Sequence, residues 1–287
     1  MMYAVTGATG TFGRRAVESL LERGVPAGDI VAIGRAVEKI TDLADRGVQV
    51  RAASYDDPES LRTALEGVDR LLLVSGSEVG QRVQQHQNVI DSAVAADVDL
   101  LVYTSLINAQ EGGLMLAGEH VATEQQLAAS GLDHTLLRNG WYTENYTDQL
   151  PTYLRTGAVI GTAAEGRISG ATRADLAEAG AAVLVGEGHA GQVYELGADD
   201  AFTLAELAEA ITQASGTQVA YHDMPADDFR AALLGAEVPA PFADVLVNTD
   251  EGVRTGALQT DSGDLSRLLG RPATSMAEAI RSAVDAG

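Results

Sequence analysis

Apolar residues in the first half of the chain come in strand-sized blocks separated by stretches of helical spacing. Met2-Tyr3-Ala4-Val5-Thr6 is the first such block, after which Ala16, Val17, Leu20 and Leu21 recur at helical intervals over 14–23 and stop at Gly24. Ile30-Val31-Ala32-Ile33 predicts a second strand, and a helix follows around 37–45. A third strand over 48–53 leads to a helix with Pro58 at its start, over 59–65. Arg70 to Val74 is almost wholly apolar, as buried parallel strands are. A long helix over 81–96 precedes a fifth strand at 100–104. A helix over 119–130, closed by Gly131, precedes a sixth at 134–138. Regular alternation of this kind predicts an α/β fold, a doubly wound parallel sheet with right-handed crossovers.

The second half is less regular. The pattern predicts helices over 142–154, despite Pro151, and over 173–184, then a strand at 193–196. Thr203 and Glu206 form a capping box that opens a helix to Ala214. A short strand at 219–222, two or three helices over 227–255 and a helix over 276–284 complete the reading. No repeat, low-complexity tract or linker divides the chain. Residues 1–150 are therefore expected to form the sheet domain, with elements near 190–215 returning to it. Residues 151–287 are expected to form a smaller, partly interleaved C-terminal α/β lobe.

The first strand runs straight into Gly7-Ala8-Thr9-Gly10-Thr11-Phe12-Gly13, and a helix follows. A strand, a glycine-rich turn and a helix N-terminus, in that order, suit a dinucleotide. One glycine makes the tight turn, one admits the pyrophosphate to the backbone, and one lets helix and strand pack. The sheet is thus expected to be of Rossmann type. The second strand ends at Gly34-Arg35, where a carboxylate would bind an unmodified ribose. A guanidinium there suits a 2′-phosphate, so NADPH is read before NADH unless Arg35 is an ordinary solvated loop residue.

Composition narrows the remaining classes. The longest apolar runs are strand-sized, and the N-terminus has no basic segment followed by an apolar one, so no membrane insertion and a cytoplasmic protein are expected. The absence of cysteine removes disulfides and thiolate chemistry. A net charge of −22, with Lys39 the only lysine, argues against binding nucleic acid. Adaptation to high salt and a GC-rich genome would each give this composition. Monomer and homodimer are both left open.

Several segments together resemble the NmrA-like, atypical branch of the short-chain dehydrogenase/reductase superfamily, and within it the NAD(P)H:quinone oxidoreductase type 2 family. They are the glycine segment from Val5 to Gly13, Ser77–Arg82, Tyr103–Leu106, Ser169–Asp175 and, most specifically, Leu137-Arg138-Asn139-Gly140-Trp141-Tyr142-Thr143-Glu144-Asn145-Tyr146. The resemblance implies a phosphate loop over Gly7, Ala8, Thr9, Gly10, Thr11 and Phe12, and a 2′-phosphate contact at Arg35. It implies that Ser75, Gly76 and Ser77 line the ribose. Asn139, Gly140, Trp141, Tyr142, Thr143 and Glu144 should flank the nicotinamide. The implied activity is hydride transfer from NADPH to quinones or similar electron-poor small molecules. Dye reductases and NADP-binding regulators share the fold, so a redox sensor with little turnover is the alternative.

Ordinary short-chain dehydrogenases use a tyrosine four residues before a lysine, and Lys39 has no such partner. Many relatives carry a lysine on the helix after the fifth strand, where this chain has His120. His120 either donates a proton near neutral pH or only makes local contacts. Ser105 either polarises a carbonyl, as the superfamily's serine does, or caps the strand end. Tyr142 could stack on the nicotinamide or donate a proton, Trp141 could equally be core, and His86 is expected to be structural. Quinone reduction makes weak demands here, since the acceptor is electron-poor and the cofactor carries the hydride. No metal site is expected, and no flavin is needed.

Overall fold

The computed structural model describes residues 1–286. Its strands are β1 (Tyr3–Val5), β2 (Ile30–Gly34), β3 (Gln49–Ala52), β4 (Arg70–Leu73), β5 (Leu100–Leu106), β6 (His134–Asn139), β7 (Ala158–Gly161), β8 (Val193–Leu196) and β9 (Ala220–Asp223). The helices of the first half are α1 (Thr11–Glu22), α2 (Thr41–Asp45), α3 (Pro58–Ala64), α4 (Arg82–Ala95), α5 (Ala117–Ser130) and α6 (Glu144–Thr147). The rest are α7 (Leu150–Thr156), α8 (Arg173–Val185), α9 (Leu204–Ser215), α10 (Ala226–Gly235), α11 (Ala240–Arg254), α12 (Asp264–Leu269) and α13 (Met276–Ala286).

Seven strands form one parallel sheet in the order β3-β2-β1-β4-β5-β6-β8. From β1 the chain steps outward to β2 and β3, then returns to the other side of β1 for β4. That reversal parts the loops beyond β1 and β4 and opens a crevice there. Successive residues of each strand point to opposite faces, and both faces are buried. Val5, Leu72, Val102 and Leu137 meet α1 and α8 through Ala16, Val17, Leu20, Ala177, Ala181 and Leu184. Ala4, Leu71, Leu73, Leu101 and Tyr103 meet α3, α4 and α5 through Leu61, Val89, Ile90 and Leu127. Burial on both faces explains the unbroken apolar runs.

The smaller lobe has its own core around Val159, Leu207, Ile211, Val253 and Ile280, built on the parallel pair β7–β9. The chain interleaves the two parts. β8 joins the large sheet beside β6, and α8 lies against α1 although it follows residue 150. α9, within the stretch expected to return, packs instead on β7, β9 and α13. The helix expected over 142–154 is two helices, and Pro151 stands in the first turn of α7, where its missing N–H has no partner to lose. The capping box at Thr203 and Glu206 is present.

A buried ionic cluster joins β5, α5, β6 and β8. The Glu124 carboxylate accepts from Arg138 Nε at 2.9 Å, Arg138 Nη2 at 2.7 Å and Ser105 Oγ at 2.6 Å. Arg138 Nη1 also reaches Glu195 at 3.0 Å. Burial pushes the Glu124 carboxyl up, but the hydrogen bonds from Arg138 and Ser105 outweigh it and hold the group below the usual carboxylate range. Removing one member of such a pair strands a charge in the interior. Arg138→Met is expected to cost about 3 kcal/mol in chemical denaturation. A loss under about 1 kcal/mol would show that the cluster is solvated rather than buried.

Candidate active site

The crevice holds a cavity of about 520 Å³. Loops beyond four strands line it: Gly7–Gly13 after β1, Arg35 after β2, Ala53–Asp56 after β3, and Val74–Glu78 after β4. Tyr142, Asp148 and Arg173 close one end, and Gln85 projects from α4.

Backbone proximity shapes the first loop. Gly7 has φ +62°, and a Cβ on Gly13 would stand 2.4 Å from the Gly7 carbonyl oxygen. Glycine at both positions lets α1 begin at Thr11, three residues before its apolar pattern becomes visible. Gly10 is the N-cap and no side chain caps α1, so the first-turn N–H groups face the cleft unclaimed. An uncapped helix start of this kind seats an anion. α8 also begins at the cleft, but Thr172 caps it and the Glu144 carboxylate accepts the Arg173 N–H at 2.8 and 3.1 Å. Its contribution to the cleft is instead the Arg173 side chain, which lies 4.9 Å over the Tyr142 ring. Phe12 stacks on that ring from α1, with centroids 6.4 Å apart.

The walls are pinned by buried polar groups. The Tyr55 hydroxyl lies 2.7 Å from the Val74 carbonyl and 2.6 Å from the Thr6 hydroxyl, which ties the ends of β1, β3 and β4 together. The Gly76 peptide is held on both sides: its N–H donates to His86 Nε2 at 3.0 Å, and its carbonyl accepts from Arg82 Nε at 2.6 Å. With Nε2 an acceptor, His86 carries its proton on Nδ1, facing Thr123 Oγ1 at 2.9 Å. Burial drives the His86 pKa down to about 3, so it stays neutral.

A family model described as NAD(P)H-binding matches residues 7–186. An NmrA-like family domain-containing oxidoreductase of Aspergillus flavus is 31% identical over 98% of this chain and 94% of its own. Quinone oxidoreductase 2 of Escherichia coli is 50% identical over 97% of each chain. The chain belongs to the NAD(P)H-binding NmrA-like family. The crystal structure of the NADPH-dependent E. coli quinone oxidoreductase complexed with NADPH superposes with TM-score 0.95 at 49% identity, covering 98% of this chain and 99% of that one. Triphenylmethane reductase of Citrobacter sp. complexed with NADP(H) superposes with TM-score 0.93 at 36% identity, over 98% and 99%.

Of the cofactor positions expected in this NmrA-like chain, Gly7, Thr9, Gly10, Thr11, Phe12, Arg35, Ser75, Gly76, Ser77 and Tyr142 line the cleft. Ala8 lies in the same loop but is fully buried in the sheet core. Gly140 donates to the Leu196 carbonyl, Thr143 bonds Ala171 through its backbone, and Trp141 packs on the smaller lobe's core. Glu144 is occupied in capping α8. Asn139 is 3% exposed, and neither of its amide atoms has a partner.

Among the three residues proposed for chemistry, the structure brings only Tyr142 to the cleft wall. Ser105 is 4% exposed, and its hydroxyl donates to Glu124 Oε1 at 2.6 Å. His120 is 7% exposed, with Nδ1 2.8 Å from the Tyr103 hydroxyl. Burial, reinforced by the nearby Arg82 guanidinium, lowers its pKa to about 3. Of the two roles left open for His120, proton donor or local contact, the structure shows a buried, uncharged ring against Tyr103. Tyr55, Asp56, Glu78, Gln85 and Arg173 line the cleft and carried no expectation. Tyr55 and Asp56 follow β3 as Ser75 follows β4, so the rule that ligands sit beyond the C-terminal strand ends could have found them, whereas Gln85 and Arg173 arrive from helices.

Two neutral, buried histidines set the sign of the acid response. Their folded pKa values lie below the ordinary value near 6.5, so the unfolded chain takes up protons first as pH falls. Stability present at pH 7 is lost between about pH 6.5 and 3, at up to about 1.4 kcal/mol per pH unit for each ring. Unfolding midpoints measured from pH 7 to 5 should fall less steeply in His120→Gln than in the unmutated protein. Equal slopes would mean that His120 titrates normally in the fold.

Proposed function

We propose that this protein is an NADPH-dependent reductase that passes a hydride to quinones or similar electron-poor acceptors, with NADH a weaker donor. The observation that carries the reading is the 50% identity with quinone oxidoreductase 2 over 97% of both chains. The cleft supports it in its chemistry. The close packing of Gly13 on the Gly7 backbone starts α1 at the cleft, and the free N–H groups of its first turn supply donors to a pyrophosphate. Arg35 faces the adenosine end with most of its guanidinium open.

Bound NADPH supplies the hydride. The chain's part is to hold the two reactants in contact, exclude water and provide a proton. Phe12 and Arg173 fix the Tyr142 ring from two sides. Burial raises the Tyr142 pKa above its ordinary value, so its hydroxyl stays protonated at neutral pH and does not serve as a base. Neither Ser105 nor His120 is needed. A quinone reduced to its phenolate accepts a proton from water or from a hydroxyl of the cleft wall, and Tyr142, between Phe12 and Arg173, is the hydroxyl assigned that part here.

The sensor reading predicts cofactor binding without turnover, so one assay separates the two. NADPH absorbance followed with a simple benzoquinone should fall rapidly, and more slowly with NADH. Tyr142→Phe should lower kcat by about tenfold to a hundredfold. Binding of NADPH with no oxidation by any quinone would leave the sensor reading standing.

A further inference from the structure

The segment joining β4 to α4 crosses the adenosine end of the cleft and brings an acid to Arg35. Glu78 Oε1 lies 2.8 Å from Arg35 Nη1, and it is the one hydrogen-bond partner of that guanidinium among the described residues. The Arg35 side chain is otherwise 65% exposed. The second carboxylate oxygen of Glu78 accepts from Gln85 Nε2 at 3.2 Å, and the same nitrogen donates to Asp56 Oδ1 at 3.1 Å. The segment is held at both ends. His86 and Arg82 grip the Gly76 peptide, and the Gly80 N–H donates to Glu119 Oε1 at 2.9 Å. Glu78 is thus delivered to the guanidinium by a tethered strap.

We infer that Glu78 competes with the cofactor's 2′-phosphate for Arg35 and so sets how strongly the protein prefers NADPH to NADH. The inference rests on the reading of Arg35 as the 2′-phosphate contact. A guanidinium binds a phosphate best through two parallel N–H groups, and Glu78 already holds one side of the fork. A phosphate dianion arriving there must displace the carboxylate and then share a wall with it and with Asp56. NADH presents a hydroxyl at that point and has no need of the guanidinium. The protein therefore lowers its own affinity for NADPH while leaving NADH untouched. An exposed pair of this kind is weak, which limits the effect to about three- to fivefold in affinity.

The test is calorimetric binding of NADPH and NADH to the unmutated protein, Glu78→Gln, Arg35→Ala and the double variant, with thermal unfolding to check each fold. Glu78→Gln should tighten NADPH by about three- to fivefold and leave NADH unchanged. Arg35→Ala should weaken NADPH selectively, and adding Glu78→Gln to it should change nothing further. NADPH affinity unchanged or weaker in Glu78→Gln, or NADH tightened as much as NADPH, overturns the inference. Arg35→Ala with undiminished NADPH affinity overturns the underlying reading of Arg35 instead.

Discussion

Between Gly13 and the Gly7 carbonyl there is no space for a single methyl group: a Cβ would stand 2.4 Å from the oxygen. That approach seats α1 against the end of β1 and starts it at Thr11. The helix then aims its unclaimed first-turn N–H groups into the crevice left by the reversal of strand order. The helix in turn supports α8, whose first residue Arg173 and neighbour Tyr142 close the cleft opposite the phosphate loop. A close approach at Gly34, whose Cβ would meet the Thr9 side chain at 2.6 Å, draws the end of β2 to the same loop. The cleft is thus built from backbone, and side chains are spent on its two ends.

Those ends differ in their physics. At the end closed by Tyr142, aromatic and guanidinium groups stack around a phenol whose pKa burial raises. At the other end Arg35 pairs with Glu78, and Asp56 lines the same wall, on a protein of net charge −22. Behind both, Tyr55 and His86 spend their polar atoms on backbone groups of the lining loops rather than on ligands. Buried polar groups satisfied in this way make the loops rigid, because displacing either loop would leave a donor or acceptor unpaired in the interior.

Where burial on both faces produced continuous apolar runs, the sequence was readable: β2, β4 and β5 lie within a few residues of their expected positions, and the doubly wound order followed from their alternation. Two short elements were not readable, although β8 and β9 were. β7 is four residues, Ala158–Gly161, and gains its partner β9 from sixty residues away, so no local period announces it. α12 spans only six residues. The phosphate loop and Arg35 could be seen because their meaning depends on neighbours in the chain. Ser105 and His120 have the right residue types on the right elements, but tertiary partners at Glu124 and Tyr103 claim them. Arg173 and Gln85 reach the cleft through packing alone.

The most direct test of the account is a single turnover. Protein loaded with NADPH is mixed rapidly with a benzoquinone, and cofactor absorbance and quinol formation are followed together. Both should change with the same rate constant and equal stoichiometry, with no other reductant present. NADPH that stays bound and unoxidised through the mixing would contradict it.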